Sequence, residues 1–325
     1  MPLLDQWGGA TISRTTLIAP DVRLIELTPA DGARPYEPGS HLKIRTPAGE
    51  QLGSRSYSLV GRPSADRYRI AVRLEANSRG GSAWMHRLAV GDQVSITSPA
   101  NDFPLTFGRA QYLLIAGGIG ITPILFMASV LRELGASYLL AYAGRSRTAM
   151  PFLAELRAEH GPRLEVGISA EGTRFDLGAL MARVHPDAEV YVCGPQPLRD
   201  SVRRAWAGQG RPPGRVRTET FASGGWYPAR PFTVHVADTG HDVEVAETVS
   251  MLDALERGGV PMMWECLRGE CGLCVLDVID AVGVIDHRDT FLSDEQRAAG
   301  KKICTCVSRV AGGSVTVDTG YRRAT

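Results

Sequence analysis

The sequence lacks the long hydrophobic runs and the charge imbalance that assign a chain to a membrane or to nucleic acid. No apolar stretch approaches the ~20 residues that a helix needs to cross a bilayer. The 36 lysines and arginines nearly balance the 35 aspartates and glutamates, for a formal net charge of +1. The first residues do not combine a basic segment with an apolar one, which argues against a secretory signal. We therefore expect a cytoplasmic protein without membrane or nucleic-acid partners.

Cysteine is scarce and unevenly distributed in this chain. Only six cysteines occur among 325 residues, and five of them follow residue 265. A disulfide framework needs an oxidising compartment, which nothing else in the sequence suggests. The clustering therefore indicates metal ligands in a reducing compartment.

The length of the chain is sufficient for two or three domains.

The spacing of the clustered cysteines indicates a particular cofactor. Four residues separate Cys266 from Cys271, and two separate Cys271 from Cys274. This is the plant-type spacing for a [2Fe–2S] cluster, whose fourth thiolate lies well downstream. Cys304 and Cys306 are the two candidates for that ligand. A zinc site is the alternative, but zinc usually takes two short Cys or His pairs, and no second such pair follows.

The first hundred residues alternate apolar and polar side chains in short segments separated by glycine and proline. This pattern predicts an antiparallel β-barrel or sandwich. Two short motifs stand inside it, an Arg-x-Tyr-Ser string and an Arg-Gly-Gly-Ser turn before a helix. A glycine-rich turn that opens a helix can bind a phosphate through its free N–H groups, and an arginine can supply the paired charge. The residues concerned are Arg55, Ser56, Tyr57, Ser58, Arg79, Gly80, Gly81 and Ser82.

The next segment alternates apolar strands with amphipathic helices, which predicts a doubly wound parallel sheet. Its first strand, 112–116, ends in a glycine turn that leads into a helix, the context in which a loop takes a dinucleotide pyrophosphate. We expect Thr122 to cap that helix and Pro123 to lie in its first turn. The strand 189–192 is predicted to be the last of the sheet. The candidate nucleotide residues are Gly117, Gly118, Gly120, Thr122, Pro123, Cys193, Gly194 and Pro195.

In this order the motifs resemble the ferredoxin–NADP reductase superfamily, and within it the phthalate dioxygenase reductase branch of oxygenase reductases. The resemblance implies a flavin barrel at 1–105, an α/β nucleotide domain at 106–225 and a β-grasp ferredoxin domain at 226–325. In this branch the barrel motifs hold FMN, the glycine loop holds the pyrophosphate of NADH, and the Cys-Gly-Pro turn lies beside the nicotinamide. The resemblance also places Cys193 and Phe221 near the flavin. It favours Cys306 as the fourth ligand, because relatives carry that cysteine just before Val-Ser-Arg.

The functional expectation follows from the three cofactors. NADH gives up two electrons as a hydride, an iron–sulfur cluster takes one at a time, and a flavin can do both. The resemblance implies a reductase that passes electrons to a separate terminal oxygenase, most simply one of the Rieske type. The alternatives are an FAD-dependent reductase that serves a haem-thiolate monooxygenase or epoxidase, and a flavin and iron–sulfur redox sensor without turnover. We expect that Cys304 and Cys306 cannot both ligate, because residues one apart on a strand point to opposite faces.

Overall fold

The computed structural model describes residues 6–48, 51–75, 80–221 and 225–320. The chain forms two compact units, one of Met1–Gly194 with Leu198–Glu219 and one of Pro195–Pro197 with Thr220–Thr325. Each unit has its own sheets and its own buried apolar cluster. Within the described ranges, no helix is both long and apolar enough to cross a bilayer.

The first unit begins with a six-stranded sheet in which all neighbouring strands are antiparallel, in the order β4-β3-β6-β1-β2-β5. A bridge between Leu59 and Ile70 links the chain just after β4 to β5, so the two edges approach each other as in a barrel. This confirms the predicted antiparallel barrel, although the long first strand was not foreseen. The elements are β1 (Trp7–Ala19), β2 (Val22–Pro29), β3 (His41–Ala48), β4 (Gln51–Ser58), β5 (Tyr68–Arg73), α1 (Gly81–Arg87) and β6 (Gln93–Thr97).

The second sheet of this unit has five parallel strands in the order β11-β10-β7-β8-β9. The predicted doubly wound sheet is therefore confirmed, but the prediction that 189–192 is its last strand is wrong. A fifth strand pairs along β10; its charged residues Arg217 and Glu219 hide it from a search for apolar runs. The strands are β7 (Tyr112–Gly117), β8 (Tyr138–Gly144), β9 (Leu164–Ile168), β10 (Glu189–Cys193) and β11 (Val216–Glu219).

The strand order places a topological switch point between β7 and β10, because the chain moves from β7 to one side first and later returns to the other. Ligands of open α/β sheets bind at such a point, beyond the carboxyl ends of the strands. The glycine loop follows β7 and the Cys193 turn ends β10, so both motifs lie there. The helices are α2 (Ile121–Glu133), α3 (Leu153–His160), α4 (Leu177–Ala182) and α5 (Gln196–Ala207).

Helix α2 also contributes to the core of the barrel. Its Phe126 packs edge-on against Tyr36 with 5.9 Å between ring centroids, and both belong to the barrel's buried apolar cluster. Because buried apolar surface stabilises both partners, this shared core explains why the barrel and the parallel sheet form one compact unit.

The second unit contains a five-stranded mixed sheet in the order β13-β12-β16-β14-β15. Strand β12 pairs parallel to β16, while the other neighbours are antiparallel. Ser250 caps α6 and Ser293 caps α7 through their side-chain oxygens, as is usual at helix starts. The elements are β12 (Phe232–Val236), β13 (His241–Val245), α6 (Met251–Arg257), β14 (Val275–Asp286), α7 (Asp294–Ala299), β15 (Lys302–Cys304) and β16 (Arg309–Asp318).

Candidate functional site

The glycine loop after β7 and the Cys193 turn after β10 pack backbone against backbone. A Cβ added at Gly120 lies 2.3 Å from the Cys193 carbonyl oxygen, and one added at Gly194 lies 3.0 Å from the Gly117 Cα. Side chains do not fit at such distances, so both positions require glycine. The two predicted nucleotide motifs therefore form one continuous surface at the switch point of the sheet.

Two side chains of the surrounding sheet and helix support the glycine loop. The Tyr142 hydroxyl of β8 donates to the Gly118 carbonyl at 3.2 Å, and burial raises the pKa of this tyrosine well above its usual range. Thr122 does not cap helix α2 as predicted, because the 3-10 turn Gly118–Gly120 runs directly into the helix and Gly120 takes the cap position. The buried Thr122 hydroxyl instead donates to the Ile119 carbonyl at 3.0 Å. Pro123 lies in the first turn of the helix, as expected.

The two barrel motifs lie next to each other in the structure. A Cβ added at Gly81 lies 3.4 Å from Arg55 Cγ, so the arginine side chain crosses directly over the start of α1. Tyr57 packs against the barrel core, and burial raises its pKa despite the positive charge of Arg55. The Ser82 hydroxyl accepts a hydrogen bond from the Glu75 backbone N–H at 3.1 Å. Arg79 lies outside the described residues.

The barrel and nucleotide motifs converge on one buried carboxylate, Glu219 at the end of β11. Its Oε2 accepts a hydrogen bond from the Ser58 hydroxyl at 3.4 Å and lies 4.0 Å from the Cys193 sulfur. Glu219 is 3% exposed, and a buried carboxylate with such partners is a candidate functional group. Sequence reasoning missed it, and the signal that could have found it is an acidic residue ending a strand in the string Glu-Thr-Phe.

Arg73 is a second residue that sequence reasoning missed. It ends β5 in the barrel, yet its Nη1 lies 3.6 Å from a Cβ added at Gly118 of the glycine loop. Its Nε and Nη2 donate to Glu75 Oε1 at 3.0 and 2.6 Å. A guanidinium at a glycine loop suits a phosphate. No motif marks Arg73, because a strand arginine is ordinary and only the fold brings it to the loop.

In the second unit, the loop 266–274 surrounds a thiol with backbone donors. The N–H groups of Arg268, Glu270 and Cys271 each point at Cys266 Sγ, at 3.4 Å. Gly272 holds a φ of +79°, which favours glycine and lets the loop turn tightly between its cysteines. Hydrogen bonds to the sulfurs stabilise thiolates and tune iron–sulfur clusters. The donor set of this loop therefore fits a [2Fe–2S] cluster.

The late cysteines are arranged differently from the prediction. Strand β15 ends at Cys304, and the backbone N–H groups of Val307 and Ser308 donate back to the Cys304 carbonyl, which makes a turn. Cys306 therefore lies on a turn and not on the strand, so the expected alternation of faces does not apply. Both thiols hydrogen-bond with Cys274, and Cys306 also hydrogen-bonds with Cys266.

The thiols differ in acidity. A hydrogen bond with Cys306 and the backbone N–H groups of the loop lower the pKa of Cys266 to about 4. Hydrogen bonds with Cys304 and Cys306 lower the pKa of Cys274 to about 3. Burial raises the pKa of Cys271. None of the six cysteines, all of which lie in the described residues, forms a disulfide.

A single-ion site and a binuclear cluster arrange their ligands differently. No group of three or more His, Cys, Asp or Glu side chains in the described part of the chain could hold one metal ion. A binuclear cluster differs from zinc because its four thiolates are divided between two irons. The cysteine geometry is consistent with a binuclear cluster.

The segment after β14 packs against the cysteine loop. Asp289 is 1% exposed, and it accepts hydrogen bonds from the Leu292 N–H at 2.9 Å and the Ser308 hydroxyl at 3.1 Å. A Cβ added at Gly269 lies 2.8 Å from the Asp289 Cα, so this glycine packs directly on the segment. Ser308 closely follows Cys306, so Asp289 links the early cysteine loop to the late cysteines.

Two of the residues predicted to lie beside the nicotinamide or the flavin belong to the second unit and are described there only. Pro195 continues the chain after Gly194, and Phe221 is half-buried just after β11. Their predicted places beside the nicotinamide and the flavin remain predictions.

Comparison with known proteins agrees with this architecture. Residues 234–311 match the model of the 2Fe-2S iron-sulfur cluster binding domain. The chain is 41% identical to phenoxybenzoate dioxygenase subunit beta of Ectopseudomonas oleovorans, over 92% of this chain and 93% of the relative. It is 39% identical to the heme-dependent oxidative N-demethylase beta subunit of Ectopseudomonas mendocina (strain ymp), over 87% of this chain and 89% of the relative.

A solved structure of phthalate dioxygenase reductase covers nearly the whole chain. Its description is a modular structure for electron transfer from pyridine nucleotides to [2Fe-2S]. The likeness has a TM-score of 0.73 at 32% identity, and it covers 96% of this chain and 98% of that chain.

Fold and site together define an electron-transfer oxidoreductase, in which a flavin- and nucleotide-binding reductase unit is joined to a 2Fe-2S ferredoxin domain. More narrowly, the chain belongs to the family of oxygenase reductases that includes phthalate dioxygenase reductase.

Proposed function

We propose that this chain passes electrons from NADH through FMN and a [2Fe–2S] cluster to a separate terminal oxygenase. The observation that carries the proposal is the convergence of Ser58 and Cys193 on the Glu219 carboxylate. One of these residues comes from the predicted flavin motif and the other from the predicted nicotinamide motif. A hydride donor and a hydride acceptor must lie in contact, and this is the point in the first unit where their two motifs meet.

For FMN, the proposed contacts come from β4 and from the start of α1. The Arg55 guanidinium supplies a charge-assisted contact to phosphate. Because Gly80 and Gly81 carry no side chains, the phosphate can approach their backbone. Tyr57 provides a planar face for the ring, and Ser56 and Ser58 supply hydroxyls at its edge. Arg79 completes the proposed set, together with Ser82.

For NADH, the proposed contacts come from the switch point of the parallel sheet. The backbone of Gly117, Gly118 and Gly120 admits the pyrophosphate, and Thr122 and Pro123 fix the start of α2 behind it. We assign the wall beside the nicotinamide to Cys193 and Gly194 of the first unit. Glu219 holds the Ser58 hydroxyl in place through its Oε2.

For the cluster, the proposed ligands are Cys266, Cys271, Cys274 and Cys306. Cys306 is preferred over Cys304 because its thiol contacts both Cys266 and Cys274, whereas the contact of Cys304 is with Cys274. When bound, the flavin converts a two-electron donor into single electrons that the cluster can carry. We assign these three tasks to three domains, 1–105, 106–225 and 226–325.

The proposed recipient is a Rieske-type oxygenase. Support comes from relatives whose names describe dioxygenase and monooxygenase systems, such as phenoxybenzoate dioxygenase. A second candidate is a haem-containing partner, favoured by the 39% identity to the beta subunit of a heme-dependent oxidative N-demethylase.

The test is anaerobic reduction of the purified protein by NADH. We expect the flavin and the cluster absorbances to bleach in turn, rapid reduction of cytochrome c, and about two irons and two inorganic sulfides per chain. FMN should be the flavin that acid releases. Stoichiometric zinc without iron, or slow reduction of every one-electron acceptor, contradicts the proposal and favours a zinc protein or a redox sensor.

A further inference from the structure

Two arginines follow β8 at the edge of the candidate nucleotide site. Arg145 and Arg147 come directly after the strand, which pairs with β7 and ends beside the glycine loop. In dinucleotide-binding sheets this position faces the adenosine ribose. An acidic residue there binds the 2′-hydroxyl of NAD, whereas an arginine there accepts the 2′-phosphate of NADP. The sequence has arginines at this position, so by itself it does not exclude NADPH.

The structure shows that Arg147 already has a partner. Its Nε donates to Glu171 Oε1 at 2.8 Å, and its Nη2 donates to Glu171 Oε2 at 2.6 Å. This is the two-pronged geometry in which a guanidinium and a carboxylate bind best. The same edge of the guanidinium cannot simultaneously make this contact with a phosphate.

Glu171 is held in position by the turn that carries it. The 3-10 turn Ser169–Glu171 follows β9 and is closed by Thr173, whose hydroxyl accepts from the Ile168 N–H at 2.9 Å. The Ala170 N–H donates to the Arg145 carbonyl at 3.0 Å and ties this turn to the loop after β8. These contacts hold the backbone that carries Glu171 at the carboxyl ends of β8 and β9.

We propose that Glu171 makes this chain select NADH over NADPH. It occupies the phosphate-binding edge of Arg147 and adds a negative charge where a 2′-phosphate has to arrive. Discrimination by a repelling charge in this way is a common route to specificity. The inference rests on the proposed function, namely that NADH binds at this sheet.

A purely structural role for the pair predicts a different result. Exposed ion pairs contribute little to stability, so loss of this one should not affect a coenzyme ratio unless the coenzyme meets it. The chain offers a matched control in Arg183 and Glu165, a pair at 2.5 Å with comparable exposure. Glu165 lies near the amino end of β9, whereas the ribose site is proposed at the carboxyl ends of the strands.

The experiment compares Glu171→Gln, Glu165→Gln, Arg147→Ala and the double variant Arg147→Ala/Glu171→Gln with the unmodified protein. The measured quantity is kcat/KM for NADPH divided by kcat/KM for NADH. Independently of turnover, calorimetry compares binding of 2′-phosphorylated 5′-AMP with binding of 5′-AMP. We expect Glu171→Gln to raise both ratios roughly ten- to a hundredfold, the worth of one charge-assisted contact. The double variant should lose most of that gain, and Glu165→Gln should leave the ratios unchanged.

Three results overturn the inference. Ratios within twofold of the parent in Glu171→Gln remove Glu171 from coenzyme choice, even if the protein oxidises NADH normally. An equal change in Glu165→Gln makes the effect one of general charge. Failure of the unmodified protein to bind either nucleotide or to accept electrons from NADH removes the proposed function itself, and this inference with it.

Discussion

Glu219 shows how much depends on one side chain, because both a barrel residue and a nucleotide-sheet residue reach its Oε2. In Glu219→Gln the carboxyl group becomes an amide, so one of its two oxygens, both of which can accept, is replaced by an N–H donor. We expect NADH-driven flavin reduction to slow by about ten- to a hundredfold, since small misplacements of reacting groups have effects of that size. Stopped-flow absorbance at the flavin band measures the rate.

The control for Glu219 is Glu26→Gln. Glu26 is a buried barrel carboxylate paired with Arg67 at 3.0 Å, outside the candidate site. This variant should bind FMN and react with NADH at nearly the parental rate. If both variants slow flavin reduction equally, the effect reflects barrel stability and not the position of Glu219.

The two late cysteines allow a second prediction for single residues. Cys306→Ser should bleach the purified protein, because its thiol is the one that contacts both Cys266 and Cys274. Cys304→Ser should retain iron and sulfide near the parental content. Iron and sulfide analysis with the visible spectrum measures both, and a colourless Cys304 variant beside a coloured Cys306 variant reverses the assignment.

For the elements, the contact between the glycine loop and the Cys193 turn is the part of the nucleotide site that tolerates least change. In Gly120→Ala the new Cβ would lie 2.3 Å from the Cys193 carbonyl oxygen, so the two segments have to separate. We expect kcat/KM for NADH to fall about a hundredfold, while dithionite still reduces flavin and cluster. Gly214→Ala is the control, because nothing lies within 4 Å of a Cβ there. Equal activity of the two variants with NADH contradicts the proposed role of the loop.

The opposite end of β10 carries a buried ion network around Glu189. Burial favours the neutral acid, but hydrogen bonds from Thr106, Arg217 and Arg109 outweigh it and lower the pKa of Glu189. Arg109 Nε and Arg217 Nε approach its two oxygens at 2.6 and 2.8 Å. The network therefore joins the chain before β7 to β11 through β10.

Glu189→Gln should lower the free energy of unfolding by about 1–3 kcal/mol at pH 7, because the buried donors lose a charged acceptor. The pKa is lower in the folded protein, so this stabilisation is present above the ordinary glutamate pKa and is lost as the pH falls below it. The gap between variant and parent should thus shrink from pH 7 to pH 4 in scanning calorimetry. Glu165→Gln removes an exposed ion pair, so its free energy of unfolding should nearly equal that of the parent at both pH values. A difference between Glu189→Gln and the parent that grows in acid contradicts the assignment.

At the scale of the whole molecule, the proposed hydride site and the proposed cluster belong to different compact units. Units with separate cores can lose one cofactor and keep the other. Cys271→Ser should therefore lack the cluster, retain FMN, and still bleach its flavin with NADH in a single turnover. Reduction of ferricyanide should persist, whereas reduction of cytochrome c and of the oxygenase should fall close to background.

Dithionite titration of Cys271→Ser provides the control, since it should show flavin absorbance changes only. Normal oxygenase turnover by the cluster-free protein contradicts the linear order of electron flow. Failure of NADH to reduce the flavin of this variant also contradicts it. Hydride transfer is proposed to need only residues of the first unit and the cofactors bound there.

The sequence by itself determined the kind of cofactor and the classes of fold. Three cysteines within nine residues fix how close their sulfurs can be, and a glycine turn between a strand and a helix has few possible conformations. Such signals depend on neighbours along the chain, so they are readable without a fold. The barrel, the parallel sheet and the ferredoxin domain were predictable for the same reason, although β1 and β11 were missed.

Only the tertiary structure decided which distant side chains meet. Ser58 and Glu219 are 161 residues apart, and Arg147 and Glu171 are 24 apart. The first contact joins two different sheets and the second joins the turns after two neighbouring strands. Hydrophobic periodicity along the chain contains neither. The turn after β15 likewise brings both Cys304 and Cys306 within hydrogen-bonding distance of Cys274, against the alternation expected on a strand. Local patterns fix conformations over a few residues, and packing of sheets and helices fixes the rest.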